Sequence, residues 1–318
     1  MNIEIMTINQ FKAGSRVDGF FLIKSVECKS SSNNKKYLDF TLADRTGEIN
    51  AKLWNVTEED EAYSANRLVK VRGMVTEWQN ALQFKIEKIR EVMDEDGVNI
   101  TDFVPVAPYT SEDMYNDVLE YINKINSEEI KKLVNYILEE YKETLMYYPA
   151  AKSNHHSVRG GLLYHITTML KAGERLCEVY TFLNKDLLYS GIILHDISKM
   201  EEMASSELGI VSEYTIEGQL LGHIVMGVKK IETVAEKLNI NPEIKMLLEH
   251  MVLSHHYEPD YGSPKKPMIP EAEMLHRLDD MDAKMYDMKK ALEDVEPGSM
   301  SDRVWSLEKR VIYKAREF

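Results

Sequence analysis

The hydrophobic period of this chain changes once, near residue 94, and that change limits the fold more than any other feature. Before it, apolar residues recur at every second position. Over 37–43, Leu38, Phe40 and Leu42 share one face, and Tyr37, Asp39 and Thr41 share the other. The segment 17–29 is rich in Phe20, Phe21, Leu22, Ile23 and Val26. Asp44-Arg45-Thr46-Gly47 reads as a turn. Beyond it Ile49, Ala51 and Leu53 alternate, which leaves Lys52 and Trp54 opposite. Thr57 is placed to cap a short acidic helix over 58–65. The spans 68–77 and 81–91 then read as two strands joined near Gln79-Asn80. Three strands, one helix and two strands is the layout of a five-stranded OB-fold barrel.

From residue 111 the period is that of helices. Ile122, Ile125, Ile130, Leu133, Val134, Ile137 and Leu138 recur at helical spacing, with Ser111 and Ser127 as candidate N-caps. Helical patterns continue over 162–180, 187–195, 218–238, 242–256, 271–292 and 302–316, and no comparable strand pattern follows residue 110. The stretch 94–110 holds acidic residues, Gly97, Pro105 and Pro108, and reads as a linker. The expected organisation is a multidomain β + α chain: an OB-fold nucleic-acid-binding barrel over 1–93, a linker over 94–110 and an all-α bundle over 111–318. A length of 318 residues suits two such units.

The helical part concentrates the metal-binding chemistry. Eight of the nine histidines lie between 155 and 256. One ordered series stands out: His165, the doublet His195-Asp196, His223, the doublet His255-His256, and Asp279. The gaps are 30, 28, 32 and 23 residues (195−165, 223−195, 255−223, 279−256). Each is about one helix plus a loop, so each ligand comes from a different helix and all can meet in one pocket. Imidazole and carboxylate together suit first-row divalent metals, and a carboxylate can bridge two of them. Asp196 is the natural bridge. A single histidine on a helix is ordinarily a surface or hydrogen-bonded core residue; an ordered series with two doublets is not.

The segments around these residues are HHSVRGGLLYHI (155–166), LLYSGIILHDISK (187–199), GQLLGHI (218–224), LSHHYEPDYGSPKKP (253–267) and EAEMLHRLDDMDAK (271–284). Together they resemble the HD superfamily of metal-dependent phosphohydrolases, and within it the YhaM-like 3′–5′ exoribonucleases, which also carry an N-terminal OB domain. The resemblance implies that His165, His195, Asp196 and Asp279 form a core metal site. It implies that His223, His255 and His256 allow a second ion. Asp279, not Asp280 or Asp282, matches the family's final aspartate; Asp282 is expected to face a helix cap or an arginine. His250 is offset from the His255-His256 pair and is read as structural. Two positions depart from the family: Ser198 replaces a common glycine, and the bulky Tyr257 follows the histidine pair.

The implied activity is 3′–5′ degradation of single-stranded RNA, and also of single-stranded DNA, to nucleoside 5′-monophosphates by metal-activated water. One or two divalent ions are expected, Mn²⁺ foremost, with Fe, Zn, Ni and Co admitted by the same ligands. Asp196 and Lys199 are the catalytic candidates, Lys199 as the cation that meets transition-state charge. His155, His156, Arg159 and Tyr261 are candidate substrate contacts, with Gly160 and Gly161 permitting close backbone approach to a ligand. Two other classes compete: an HD phosphodiesterase of small nucleotides or cyclic dinucleotides, and a non-catalytic OB-based adaptor on a metal-stabilised scaffold.

Net charge is −14, but it is uneven. Residues 1–93 carry 14 Lys+Arg against 13 Asp+Glu, leaving 25 (39−14) against 40 (53−13) in the rest. Four of the N-terminal acids form one run over 58–61, so the remaining barrel surface is locally basic. OB barrels hold single strands with cations and stacked aromatics. Lys36, Tyr37, Lys52, Trp54, Arg72 and Trp78 are the candidate contacts, with Lys35, Lys70 and Lys85 as further cations. Cys28 and Cys177 read as reduced thiols, and the N-terminal residues lack a secretory pattern. A cytoplasmic, membrane-free chain is therefore expected; oligomeric state is not readable.

Overall fold

A computed structural model describes residues 6–317 apart from 32, 55, 58, 59, 80, 153 and 154, and apart from the side chain of residue 61. Contacts divide the chain into Met1–Pro105 and Val106–Phe318.

In the first unit, β1 (Arg16–Ser30), β2 (Lys36–Asp44), β3 (Gly47–Trp54), β4 (Leu68–Trp78) and β5 (Ala81–Glu91) close a barrel in the order β1-β2-β3-β5-β4. Every neighbouring pair is antiparallel except β3 with β5. The alternation read from the sequence is the inside–outside alternation of this barrel. Phe40, Leu42 and Ala51 are fully buried, whereas Trp54 is exposed. Phe11, Phe21 and Phe84 meet in the interior with ring centroids 6.0–6.2 Å apart. Part of the expected 58–65 helix lies outside the described residues; the rest is one 3-10 turn, Asp60–Ala62, entered where the amide of Asp60 donates to Thr57 Oγ1. Residues 94–105 hold two further 3-10 turns, Asp94–Asp96 and Ile100–Asp102. The first is anchored by Arg90, whose guanidinium donates to both oxygens of Asp96 at 2.7 Å.

The second unit is helical. It contains α1 (Ser111–Asn123), α2 (Glu128–Leu145), α3 (Gly161–Val179), α4 (Lys185–Leu194), α5 (Lys199–Glu202), α6 (Ile216–Leu238), α7 (Pro242–Ser254) and α8 (Pro270–Ala291). Leu163, Ile166, Leu188, Ile192, Met251 and Leu275 fill its core. Ser127 caps α2 as expected, accepting from the amide of Ile130. Ser111 does not cap α1. Thr110 does, accepting from Asp113, while Ser111 donates to the carbonyl of Met146.

Two further sequence expectations fail. A small hairpin follows residue 110 after all, β6 (Met203–Ser205) with β7 (Val211–Tyr214). Three or four residues are too few for alternation to register in a sequence. The 302–316 helix is absent: this segment folds back on itself, with bridges Met300–Tyr313 and Val304–Arg310 around a 3-10 turn. Glu308 and Lys309 both take positive φ, and of the apolar residues spaced like a helix face only Leu307 is fully buried. Among the described residues no helix is long and apolar enough to cross a membrane.

Candidate metal centre and strand-binding surface

Five helices deliver the seven series residues to one place. His165 lies in α3, and His195 is the residue that caps the C-terminus of α4, with Asp196 next. His255 caps the C-terminus of α7 in the same way, followed by His256. Asp279 lies midway along α8. His223 owes its position to a break in α6. Gly222 has φ 71° and ψ 158°, a conformation essentially reserved for glycine. The break lets the amide of His223 donate to Glu202 Oε1 at 3.1 Å while its ring reaches the same carboxylate.

Asp196 sits at the centre with its two oxygens facing different histidines. Oδ2 is 3.3 Å from His195 Nε2, and Oδ1 is 3.4 Å from His223 Nε2 and 3.7 Å from His255 Nε2. On the His195 side, His165 Nε2 is 3.2 Å from Asp279 Oδ1. Two compact ligand groups result: His165, His195 and Asp279, and Asp196, His223, His255 and His256. A third group, His156, His165 and Asp282, shares His165 with the first.

The other face of each ring is tied down. Nδ1 of His195 donates to the carbonyl of Ile192 at 2.8 Å, that of His255 to Val252 at 2.7 Å, and that of His256 to Tyr261 at 2.6 Å. Nδ1 of His223 meets Glu202, and Nδ1 of His165 donates to Asp282 Oδ2 at 2.7 Å. With Nδ1 protonated and held, each Nε2 carries a free lone pair. Nε2 of His165, His195, His223 and His255, and Oδ1 of Asp196, are buried without a hydrogen-bond partner. Buried polar atoms are ordinarily paired. Converging orphans of this donor set fit divalent cations.

Electrostatics agree. Burial disfavours charge on Asp196, but Lys199 and His195 overcome it and hold the carboxyl well below its usual range. Burial likewise opposes charge on His165, and the adjacent Asp279 and Asp282 reverse it, raising the ring to about 10. Asp279 lies below the usual carboxylate range because His165 and His195 outweigh its burial. Burial and the neighbouring His256 and His195 push His255 well below its ordinary value. The centre thus concentrates anionic carboxylates, and a metal ion would displace the proton that His165 otherwise takes.

A cavity of about 760 Å³ opens beside the centre, lined by His155, Lys199, His223, His256, Tyr261 and Asp279 among others. Lys199 Nζ donates to Asp196 Oδ2 at 2.6 Å, and its side chain is mostly buried. Tyr261 is exposed at the cavity. His155 is at the cavity too, with burial lowering its ring to about 4. His156 is placed elsewhere. It is buried, its Nε2 donates to Asp282 Oδ2 at 2.8 Å, and its ring lies 4.0 Å from that of Tyr286. Arg159 does not line the cavity; its Nε donates to the carbonyl of Glu207. Gly161 is needed for close approach, but to the chain itself: a Cβ there would sit 1.9 Å from the carbonyl oxygen of His156.

Asp282 faces neither a cap nor an arginine, contrary to expectation; it holds His156 and His165 together. His250 is structural as expected, accepting from the amide of Met268. Tyr257 is accommodated at positive φ, stacked on His276 at 4.9 Å. Sequence reasoning missed Glu202 and His276. Glu202 orients His223 across 21 residues, and His276 donates through Nδ1 to the carbonyl of His255. A glutamate in an acidic helical stretch and a histidine outside the ordered series carry no sequence signal for such roles.

On the barrel the six candidate contacts separate onto two faces. Tyr37 lies opposite Trp54 on β2 and β3, their rings stacked at 4.5 Å, with Lys52 Nζ 5.4 Å and 6.0 Å from the two centroids. Lys36 begins β2, one residue before Tyr37. Arg72 and Trp78 lie on β4, which pairs with β1 and β5 instead.

Comparison with known proteins matches this architecture. A family described as HD domain matches residues 162–284, and an OB-fold nucleic acid binding domain matches 22–92. The 3′-5′ exoribonuclease YhaM of Geobacillus sp. (strain WCH70) is 43% identical over 308 residues, covering 96% of this chain and 94% of that protein. The 3′-5′ exoribonuclease YhaM of Bacillus subtilis (strain 168) is 40% identical over 304 residues, covering 95% of this chain and 96% of that protein. With relatives this similar along nearly their whole length, and with a barrel and a histidine–aspartate centre to match, the chain belongs to the YhaM family of OB- and HD-domain proteins.

Proposed function

We propose that this chain is a metal-dependent 3′–5′ exoribonuclease that trims single-stranded RNA, and single-stranded DNA by the same chemistry, to nucleoside 5′-monophosphates. The observation that carries the reading is the set of unpartnered Nε2 atoms gathered around Asp196 beside an open cavity. His165, His195 and Asp279 would hold one divalent ion and His223, His255 and His256 a second, with Asp196 placed between the two groups to serve as a ligand. Mn²⁺ suits mixed imidazole and carboxylate ligands. Bound divalent ions supply an acidified water and neutralise phosphate oxygens.

The remaining work belongs to side chains. The Nδ1 anchors keep the rings aimed, which spares reorganisation during reaction. Lys199, held on Asp196 and facing the cavity, meets negative charge on the phosphoryl group as the attacking oxygen bonds to phosphorus. The bond to the 3′ oxygen of the penultimate nucleotide breaks, and the released nucleotide keeps its 5′ phosphate. His155 contacts the terminal nucleotide from the cavity wall, and Tyr261 offers a ring to its base. His156 and Arg159 are assigned to support instead of substrate contact, from their placement. On the barrel, Tyr37, Trp54 and Lys52 with Lys36 form a stacking platform for the strand. The thiols of Cys28 and Cys177, both free, suit work in a reducing cytoplasm.

The test is incubation with Mn²⁺ and an end-labelled RNA whose 3′ end is free or chemically blocked. Stepwise release of 5′-monophosphates from the free RNA alone is expected. No cleavage, internal cleavage, or turnover of mononucleotides alone would overturn the reading.

A further inference from the structure

The barrel has a second cationic face, away from the aromatic platform. On β4 and β5, Lys70 stands directly opposite Arg90, and Arg72 directly opposite Lys88. Like charges in directly opposed register destabilise a strand pair. Two such pairs in succession, with Lys85 opposite Met74 next along, are therefore costly for the fold alone. Two carboxylates compensate in part. Asp18 Oδ2 accepts from Arg72 Nε at 2.8 Å, and Asp96 takes Arg90, with Lys70 3.9 Å away. Lys85 and Lys88 have no ion pair among the described residues. The four opposed cations line an open depression of about 350 Å³, together with Asp18 and Ile89. Further along the same face of β4 lie Met74 and then Trp78, the latter 64% exposed. From Lys70 to Trp78 is eight residues, about 27 Å of strand.

We propose that this β4–β5 face is a second phosphodiester-binding surface, its depression taking a backbone phosphate of single-stranded nucleic acid and Trp78 stacking a base beyond it. A strand too long for the Tyr37–Trp54 platform continues around the barrel onto it. The inference rests on the reading of this chain as a strand-processing nuclease, and it assigns Arg72 and Trp78 to a different contact from Tyr37 and Trp54. Site sizes of about 4–16 nucleotides per OB barrel accommodate both surfaces.

The test uses the full chain in chelating buffer, so that RNA is bound and not consumed, with 5′-labelled oligouridine of five and fifteen nucleotides. Affinity is measured by fluorescence anisotropy over a range of salt. The double variant Lys70→Ala, Lys88→Ala should weaken binding of the fifteen-mer and flatten its log affinity–log salt slope by about 1.4, from two phosphate contacts at about 0.7 each. Lys70→Arg, Lys88→Arg should restore the slope. Trp54→Ala should weaken both oligomers. If Trp54→Ala weakens binding while the double variant keeps the wild-type affinity and slope, the second surface is wrong and the platform stands. If neither variant changes binding, the strand-binding reading itself fails.

Discussion

Asp282 Oδ2 accepts from Nδ1 of His165 at 2.7 Å, and the same oxygen accepts from Nε2 of His156 at 2.8 Å. Three residues earlier on α8, Asp279 faces the opposite nitrogen of the same ring at 3.2 Å. Positions three apart share a helix face, so α8 holds His165 from both sides. One carboxylate is placed to share a metal with it, and the other fixes its tautomer.

Asp282→Asn should therefore weaken metal binding without removing a ligand. Loss of such an outer partner costs about 10–100-fold in metal affinity or activity. Titration of metal-free protein with Mn²⁺ should show that loss, and activity should recover at high metal. Asp279→Asn should not recover. Equal behaviour of the two variants would remove the distinction between ligand and support.

Asp196→Ala should lower turnover by on the order of 10³-fold or more, since both proposed ions lose their shared ligand and Lys199 loses its partner. Binding of an oligouridine in chelating buffer should be unchanged, because the barrel platform is untouched. Lys199→Met should lower the maximal rate by about 10²-fold with little change in metal content. A Lys199 variant that turns over normally would show that the cation plays no part.

Gly222→Ala forces a side chain into φ 71°, ψ 158°. That strain costs about 1–3 kcal/mol, and no clash adds to it, as the nearest atom to an added Cβ is Glu202 Oε1 at 3.7 Å. A lower melting temperature together with weakened metal binding is expected. Relaxation of the backbone toward a regular helix would pull His223 from Glu202. A stability loss with intact metal content would mean that the break serves the fold alone.

Glu249 on α7 has its carboxyl raised to about 7, by burial first and by Glu232 second, with Lys245 opposing. A raised acid favours the folded state while protonated. This contribution is full below about pH 4.5 and is lost as pH rises through about 7. Glu249→Gln should thus raise the melting temperature at pH 8 and leave it nearly unchanged at pH 4.5. A uniform shift across that range would contradict the assignment.

The sequence was most legible where periodicity and packing coincide. In β2 and β3 the alternation of Leu38, Phe40 and Leu42, then Ile49, Ala51 and Leu53, became the barrel interior because one side of each strand must be buried. The spacing of the ordered series likewise spread its five steps over five helices, the two doublets each sharing one. Features decided by a single long-range contact were illegible. The sequence points Asp282 to a helix cap or an arginine and His156 to the substrate, whereas the packing of α3 against α8 puts His165 and His156 on one Asp282 oxygen, with the His156 ring against Tyr286. The C-terminal segment misled because Val304, Leu307 and Val311 imitate a helix stripe, whereas Glu308 and Lys309 turn the chain back.

The most direct test of the account is where metal binds. Crystals of the full chain grown with Mn²⁺ should show two anomalous peaks flanking Asp196, one against His165, His195 and Asp279 and one against His223, His255 and His256. A single peak among His156, His165 and Asp282, or no peak contacting Asp196, would contradict it.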